Sequence, residues 1–308
     1  MIQITYQGVD ITDSVSINRA FHDMYAADQS DTLHLRCNDV SHLWDSWAPQ
    51  AGDEIQIDFG TVGTGTMFLT SASPRNGFYD LLAQSAPKSG YDPQRKAWQQ
   101  VRLLQIGAEI AERNGLSFAS YGVEDRLYSY VLQDGVGDFR FLNRRARLEG
   151  CAILIYDKRL VMYSEPFLEA VEPSETLNVG IGDEYKYKNR GAELFGSCII
   201  ETGIYAGEYS VDNGSSRVYR PTPEELGSVN SNDEAQRFAM NLLRYKNKGC
   251  FAGHVRTPVL SGYAAASTVE LSSVRAPSWD GPVFLNHVRN DYGKGESKIF
   301  FRRPLEGY

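Results

Sequence analysis

The chain has 308 residues, 42% apolar and 23% charged, an ordinary mixture for a folded protein and enough length for two or three domains. A net charge of −8 excludes nucleic-acid binding through a generally basic surface, while leaving room for a local basic patch. The 18 Tyr, 14 Phe and 28 Gly favour β-rich structure.

Residues 1–88 read as mostly β. Met1–Tyr6 alternates, Gly8-Val9-Asp10 is a turn, Val15-Ser16-Ile17 begins a second strand and Thr32–Cys37 alternates again. A short irregular or helical piece, Ser41–Trp47, stops at Pro49. After the Gly52-Asp53 turn come strands Ile55–Phe59 and Met67–Ala72. Many short strands with Gly-rich turns predict a small barrel or sandwich.

From 89 to 165 the pattern becomes α+β. A polar linker, Ser89–Lys96, precedes an apolar stripe through Leu104, Ala108 and Ala111, which predicts a helix stopped at Asn114-Gly115. A second stripe, Phe139, Leu142 and Ala146, runs to Gly150. Cys151–Tyr156 and Leu160–Tyr163, joined by Asp157-Lys158-Arg159, predict a hairpin. This module is expected to be inserted between two β domains.

Residues 166–308 return to β. Pro221-Thr222-Pro223 and the Ser, Asn and Gly around it predict a long exposed loop. A helix over 232–247 follows, with a capping box at Ser231 and Glu234, a stripe at Ala235, Phe238, Ala239 and Leu242, and stop signals at Lys246, Lys248 and Gly249. The last strands, Val283-Phe284-Leu285 and Ile299-Phe300-Phe301, echo Met67-Phe68-Leu69 and the apolar strand after Gly77. If the echo is a repeat, the chain holds two related barrels.

Little in the sequence points to catalysis. Cys37, Cys151, Cys198 and Cys250 are scattered and read as buried free thiols. His22, His34, His42, His254 and His287 lack metal-site spacing, and no cofactor or metal is expected. Asp53-Glu54 and Glu224-Glu225 are neighbours in sequence that diverge in space, which disfavours a paired acid and base. Gly60–Gly65 lacks the lysine of a phosphate loop and reads as a hairpin turn. Asp280-Gly281 reads as a turn with Trp279 packed beneath it.

Arg144, Arg145 and Arg147 cluster on the second helix, either as a solvated face or as a contact for an acidic neighbour. Trp44 and Trp47 suit either interface anchors or core. The N-terminus lacks the layout of a secretory signal and no apolar run approaches a membrane span, so synthesis in the cytoplasm without membrane embedding is expected.

Leu103–Leu116, Phe139–Tyr156, Asn232–Gln236 with its helix, Trp279-Asp280-Gly281 and the terminal Arg303–Tyr308 together resemble the phage late control D family over roughly residues 95–308. Members are baseplate hub proteins of contractile phages, phage-tail-like bacteriocins and related injection machines. The resemblance implies an α+β, mainly β chain. It would have two tube-protein-like β-barrel domains (1–88, and 166–308 with its helix) around the inserted helix and hairpin module.

It further implies a homotrimer whose six barrels mate a sixfold tail tube, or its initiator, to a threefold central spike. Other baseplate proteins would surround it, with DNA at most passing through the channel. Such a protein is made in the bacterial host cytoplasm and resides in the baseplate of a virion or phage-tail-like particle. Carboxylates lining that channel would keep DNA from adhering; ordinary solubility charge is the simpler account. The alternatives are a tail-associated peptidoglycan hydrolase, for which the chain's end leaves no appended domain, and a cell-wall-binding module over 95–165.

Overall fold

Alternation in Ser16–Tyr25, Thr32–Asn38 and Phe78–Gln84 sends Ala20, Leu33, Leu35, Leu81 and Ala83 to one side, where they are buried. The computed structural model, which describes residues 2–308, joins such strands into one fourteen-stranded sheet and three small ones. Met1 of the first predicted strand lies outside the described residues. The fold is α+β and mainly β.

The large sheet contains one six-strand pattern twice. Its first instance has the spatial order Ser16–Tyr25, Thr32–Asn38, Phe78–Gln84, Met67–Arg75, Glu54–Phe59, Ile2–Tyr6. The second has Tyr185–Asn189, Phe251–Pro258, Glu296–Arg302, Gly281–Asp291, Thr268–Ser273, Thr176–Val179. Numbered along the chain, both read 2-3-6-5-4-1. They differ at the end, where Ile2–Tyr6 runs antiparallel to its neighbour and Thr176–Val179 parallel.

The echo seen in sequence is part of this repetition. Phe68 faces Gln84 and Leu69 faces Ala83, and the register then slips at Thr70 so that Ser71 faces Leu82. In the other hairpin Phe284 faces Arg302 and Leu285 faces Phe301, and the slip falls at Asn286 so that His287 faces Phe300. Each β-bulge sits one residue after the leucine.

The closed barrels expected from the sequence are not formed, since no sheet among the described residues returns to itself. The physical reason is a change of partner. Phe21–Tyr25 of the first repeat pairs antiparallel with His287–Asp291 of the second, so strands that would close two separate barrels fuse the repeats instead. Two cores flank this seam, one around Leu35, Trp44 and Ile57 and one around Val255, Leu285 and Phe301.

The described residues form six α-helices: α1 (Leu43–Trp47), α2 (Leu103–Arg113), α3 (Asp138–Leu148), α4 (Glu165–Glu169), α5 (Pro223–Leu226) and α6 (Asn232–Asn247). The hairpin Cys151–Tyr156 and Arg159–Ser164 adds Ser117–Tyr121 in parallel. The sequence assigned α6 to the second β region, but its buried face (Ala235, Phe238, Ala239, Leu242, Leu243) shares a core with α2 and α3. Each such Phe or Leu contributes about 2 kcal/mol by leaving water. Strand Ala206–Ser210 lies directly on α6 because Gly207 has no Cβ; one placed there would fall 2.2 Å from the Gln236 amide.

At the start of α6, Ser231 Oγ accepts from the Glu234 amide at 3.1 Å, as expected. Glu234 Oε2, however, accepts from Asn230 N at 2.8 Å, one residue short of the reciprocal bond. The complete capping box lies at Thr222 and Glu225, inside the segment read as loop, where Val218–Tyr219 and α5 form instead. Its signals were Thr222 as N-cap, Pro223 at the first turn and Glu at the third helical position.

A buried charge cluster ties α4 and α6 to the last strand. Glu169 Oε2 accepts from Arg244 Nη2 at 2.5 Å and from the Leu305 amide at 3.1 Å, and Arg302 Nη2 lies 2.5 Å from its other oxygen. Lys248 Nζ donates to Glu165 Oε1 at 2.6 Å. Burial alone would raise the Glu165 carboxyl, but the charges of Lys248 and Arg302 outweigh it and hold it below the usual range. Arg302 Nη1 has no partner among the described residues, so the cluster is already short of acceptors.

Glu169→Gln removes the anion shared by two buried guanidinium groups and should cost about 3–5 kcal/mol in urea denaturation, with an unchanged midpoint contradicting this role. His22, fully buried in the seam, has Nδ1 3.0 Å from Tyr292 Oη, and burial pushes its pKa down to about 4. Its folded pKa is below the unfolded 6.5, so its contribution is complete above pH 6.5. It should fall by about 3 kcal/mol as pH drops to about 4, and His22→Gln should flatten that decline.

Candidate interaction surfaces

The face of the large sheet opposite the cores carries a basic and aromatic row that crosses the seam. Lys186, His254, Phe300, His287 and Tyr25 stand side by side on five neighbouring strands. Tyr25 stacks on His287 at 4.5 Å and His287 on Phe300 at 4.6 Å between ring centroids. The next row is Arg256, Lys298, Arg289 and Asp23. Asp23 accepts from His287 Nε2 at 2.6 Å and from Arg289 Nε at 2.7 Å. Burial would raise this carboxyl, but those two hydrogen bonds and the Arg289 charge hold it below the usual range. Further along, Arg36 neutralises Asp80. The acidic excess of the chain is therefore not gathered on this face.

The stretches of sheet edge left unpaired among the described residues include two with counterparts in the seam. Tyr185–Asn189 bonds only to Phe251–Pro258, and Ser71–Arg75 only to the Phe78–Gln84 strand. They occupy the positions that pair with each other across the seam in the opposite combination of repeats.

The residues nominated from sequence disperse. Arg145 is buried, 4.4 Å from the Tyr128 ring and 5.3 Å from that of Phe238, with Nη1 donating to Ser228 O. Arg147 pairs with Asp28 at 2.7 Å and Arg144 donates to Glu224 O, both beside a cleft of about 330 Å3 against α5. The helix period accounts for this: Arg145 sits four residues after Phe141 and three after Leu142, on the apolar stripe. Trp44 is 1% exposed and packs edge-on to Tyr6 and Trp47, while Trp47 is half-buried over Tyr6.

The adjacent carboxylates are all engaged. Asp53 accepts from Tyr6 Oη and Gln7, Glu54 pairs with Lys158, Glu224 with Arg140, and Glu225 with Lys246. Glu225 is lowered to about 2 because the Thr222 amide, Tyr219 and Lys246 overcome the opposing effect of burial. Val62–Gly63 forms the expected hairpin on Glu54–Phe59, and Thr66 beyond it clasps Asp157. Trp279 stacks on Tyr187, and Asp280 accepts from the Ser273 amide. The four cysteines are buried and free, and burial pushes Cys37, Cys151 and Cys198 up to about 12. No helix among the described residues is long and apolar enough to cross a membrane.

No protein-family model and no curated protein sequence matches the chain. Solved structures do resemble it. The 43 kDa tail protein of prophage MuSo2 from Shewanella oneidensis superposes with a TM-score of 0.76 at 11% identity, over 98% of each chain. A tail protein from Neisseria meningitidis gives 0.75 at 12%, covering 98% of this chain and 96% of that one. The E. coli c3393 protein, a type VI secretion component with structural similarity to T4 tail proteins gp27 and gp5, gives 0.60 at 12% over 99% and 78%. The fold is thus one found in phage tail proteins and in a secretion machine.

The placements separate two outcomes for the nominated residues. Trp44→Ala should destabilise the isolated chain by about 3–5 kcal/mol, because it empties a core site. Arg144→Ala should cost about 1 kcal/mol or less by thermal unfolding. Equal effects would contradict the assignment of one to core and the other to surface.

Proposed function

We propose that the chain is the baseplate hub of a contractile phage tail or phage-tail-like particle. In this reading it is a homotrimer forming a pseudo-sixfold ring between the tail tube and a threefold central spike. The observation that carries the reading is the doubled strand pattern with one internal seam and two open, equivalent edges. A protomer with one seam used and its counterpart unused is suited to head-to-tail association. Three copies supply six repeats, matching a tube of sixfold symmetry. Likeness to tail proteins supports the setting, and residues 1–88, 89–165 and 166–308 remain the division we propose for its functional units.

The internal register sets the intermolecular one. Asp23 faces Arg289 across the seam. Their counterparts in the other repeat are Lys188 and Ser73, so Tyr185–Asn189 of one copy would lie along Ser71–Arg75 of the next, with Lys188 opposite Ser73. Pro74 lacks an amide hydrogen, which leaves this ladder one bond short of a full set.

The double variant Ser73→Cys with Lys188→Cys tests this directly. Facing residues in antiparallel strands have Cβ atoms about 5 Å apart, within disulfide reach after small adjustment. Oxidation should give a chain linked into trimers on a non-reducing gel, neither single variant should do so, and mass photometry should find three chains. A chain that stays monomeric and unlinked in the presence of tube and spike proteins would falsify the reading.

A further inference from the structure

A cavity of about 540 Å3 opens where the first β region, the Cys151–Ser164 hairpin and the loop 260–265 converge. Tyr25, Tyr121, Tyr156, Tyr263 and Met24 contribute to its wall, together with Asp31. Tyr121 and Tyr156 are 49% and 45% exposed, so their rings are open to a ligand entering the cavity. Asp31 is 7% exposed. Its Oδ1 accepts from the Tyr25 amide at 2.8 Å, its own amide donates to Ser85 Oγ, and Oδ2 has no hydrogen-bond partner among the described residues. No cation forms an ion pair with it there.

A buried carboxylate without a counter-charge is costly, and here burial pushes Asp31 up to about 7, with the charge of Asp23 acting in the same direction against the Tyr25 amide. The other titratable groups facing it are Tyr25, Tyr156 and Tyr292, none of them cationic. Asp157 and Arg159 also line the cavity with opposite charges, and Asp157 is already held by Thr66.

We propose that this cavity is a docking site for a lysine side chain presented by a partner protein, its stem against the tyrosines and its ammonium on Asp31 Oδ2. The cation supplies the missing counter-charge, the ring faces attract it, and the aliphatic stem covers apolar wall. Lysine fits better than arginine because a guanidinium binds best to both oxygens of a carboxylate, and Oδ1 is already engaged by Tyr25. The site stands on the cavity alone and does not depend on the baseplate reading.

Titrating the full-length chain with the peptide acetyl-Leu-Lys-Leu-amide, followed by NMR of the tyrosine rings, tests the site. Binding should saturate and should be about tenfold tighter than for the norleucine analogue, which lacks only the charge. Affinity should rise as pH increases through about 7, where Asp31 ionises. Asp31→Asn keeps an acceptor for the Tyr25 amide and should abolish the preference for lysine. Tyr156→Ser, at an exposed position, should weaken both peptides, and provides the answer should Asp31→Asn not fold. An unchanged lysine preference in both variants overturns the proposal, as does 1,5-diaminopentane binding as tightly as the peptide, which would make the ligand a free amine.

Discussion

A β-sheet edge is a row of amides and carbonyls that must find partners, and the architecture of this chain follows from where those partners are found. Within one repeat, Phe21–Tyr25 and Ser71–Arg75 could each have met an edge of its own unit. The second repeat takes the first of these instead, through His287–Asp291. That pairing makes one sheet of two units, buries His22 against Tyr292, and lines up the aromatic row from Lys186 to Tyr25 on one face. It also leaves the equivalent pair of edges without a partner among the described residues.

The excursions from the sheet are attached by charge rather than by more strands. Between its second and third strands the first repeat crosses with residues 26–31, while the second leaves the sheet for residues 190–250. Arg244 and Lys248 bring α6 back to Glu165 and Glu169, and Arg302 connects both to the sheet. Asp28, in the short crossing of the first repeat, binds Arg147 and Tyr245. Buried ion pairs of this kind add little net stability over apolar packing, but their directionality restricts how the module can sit. The groups left short of partners, such as Arg302 Nη1, agree with a role in orientation.

Local features were legible in the sequence. The helix over 232–247, the stops at Asn114 and Gly150 and the hairpin at Asp157 depend on spacing and turn chemistry within a few residues. The echo between Met67-Phe68-Leu69 and Val283-Phe284-Leu285 was visible too, because bulge and register are written into each hairpin. Barrel closure was not, since alternation specifies a strand's faces and says nothing about which distant strand it will join. The nominated arginines were scattered for a related reason. Arg145 and Arg147 are neighbours in the text but stand about 200° apart around α3, so one entered the core and the other met Asp28. Asp31 carries no sequence signal at all, because its isolation is a property of what surrounds it.

The long excursion of the second repeat has a consequence for how such proteins diversify. It departs from Asn189 and returns at Phe251, residues that face each other across adjacent strands. Its two ends are therefore about 5 Å apart, whatever lies between them. A segment with fixed, closely spaced ends can grow, shrink or be exchanged without disturbing the strand order beneath it, as in domain insertion. The strand order is held in the sheet, and the contacts made by the excursion can be rewritten without altering it.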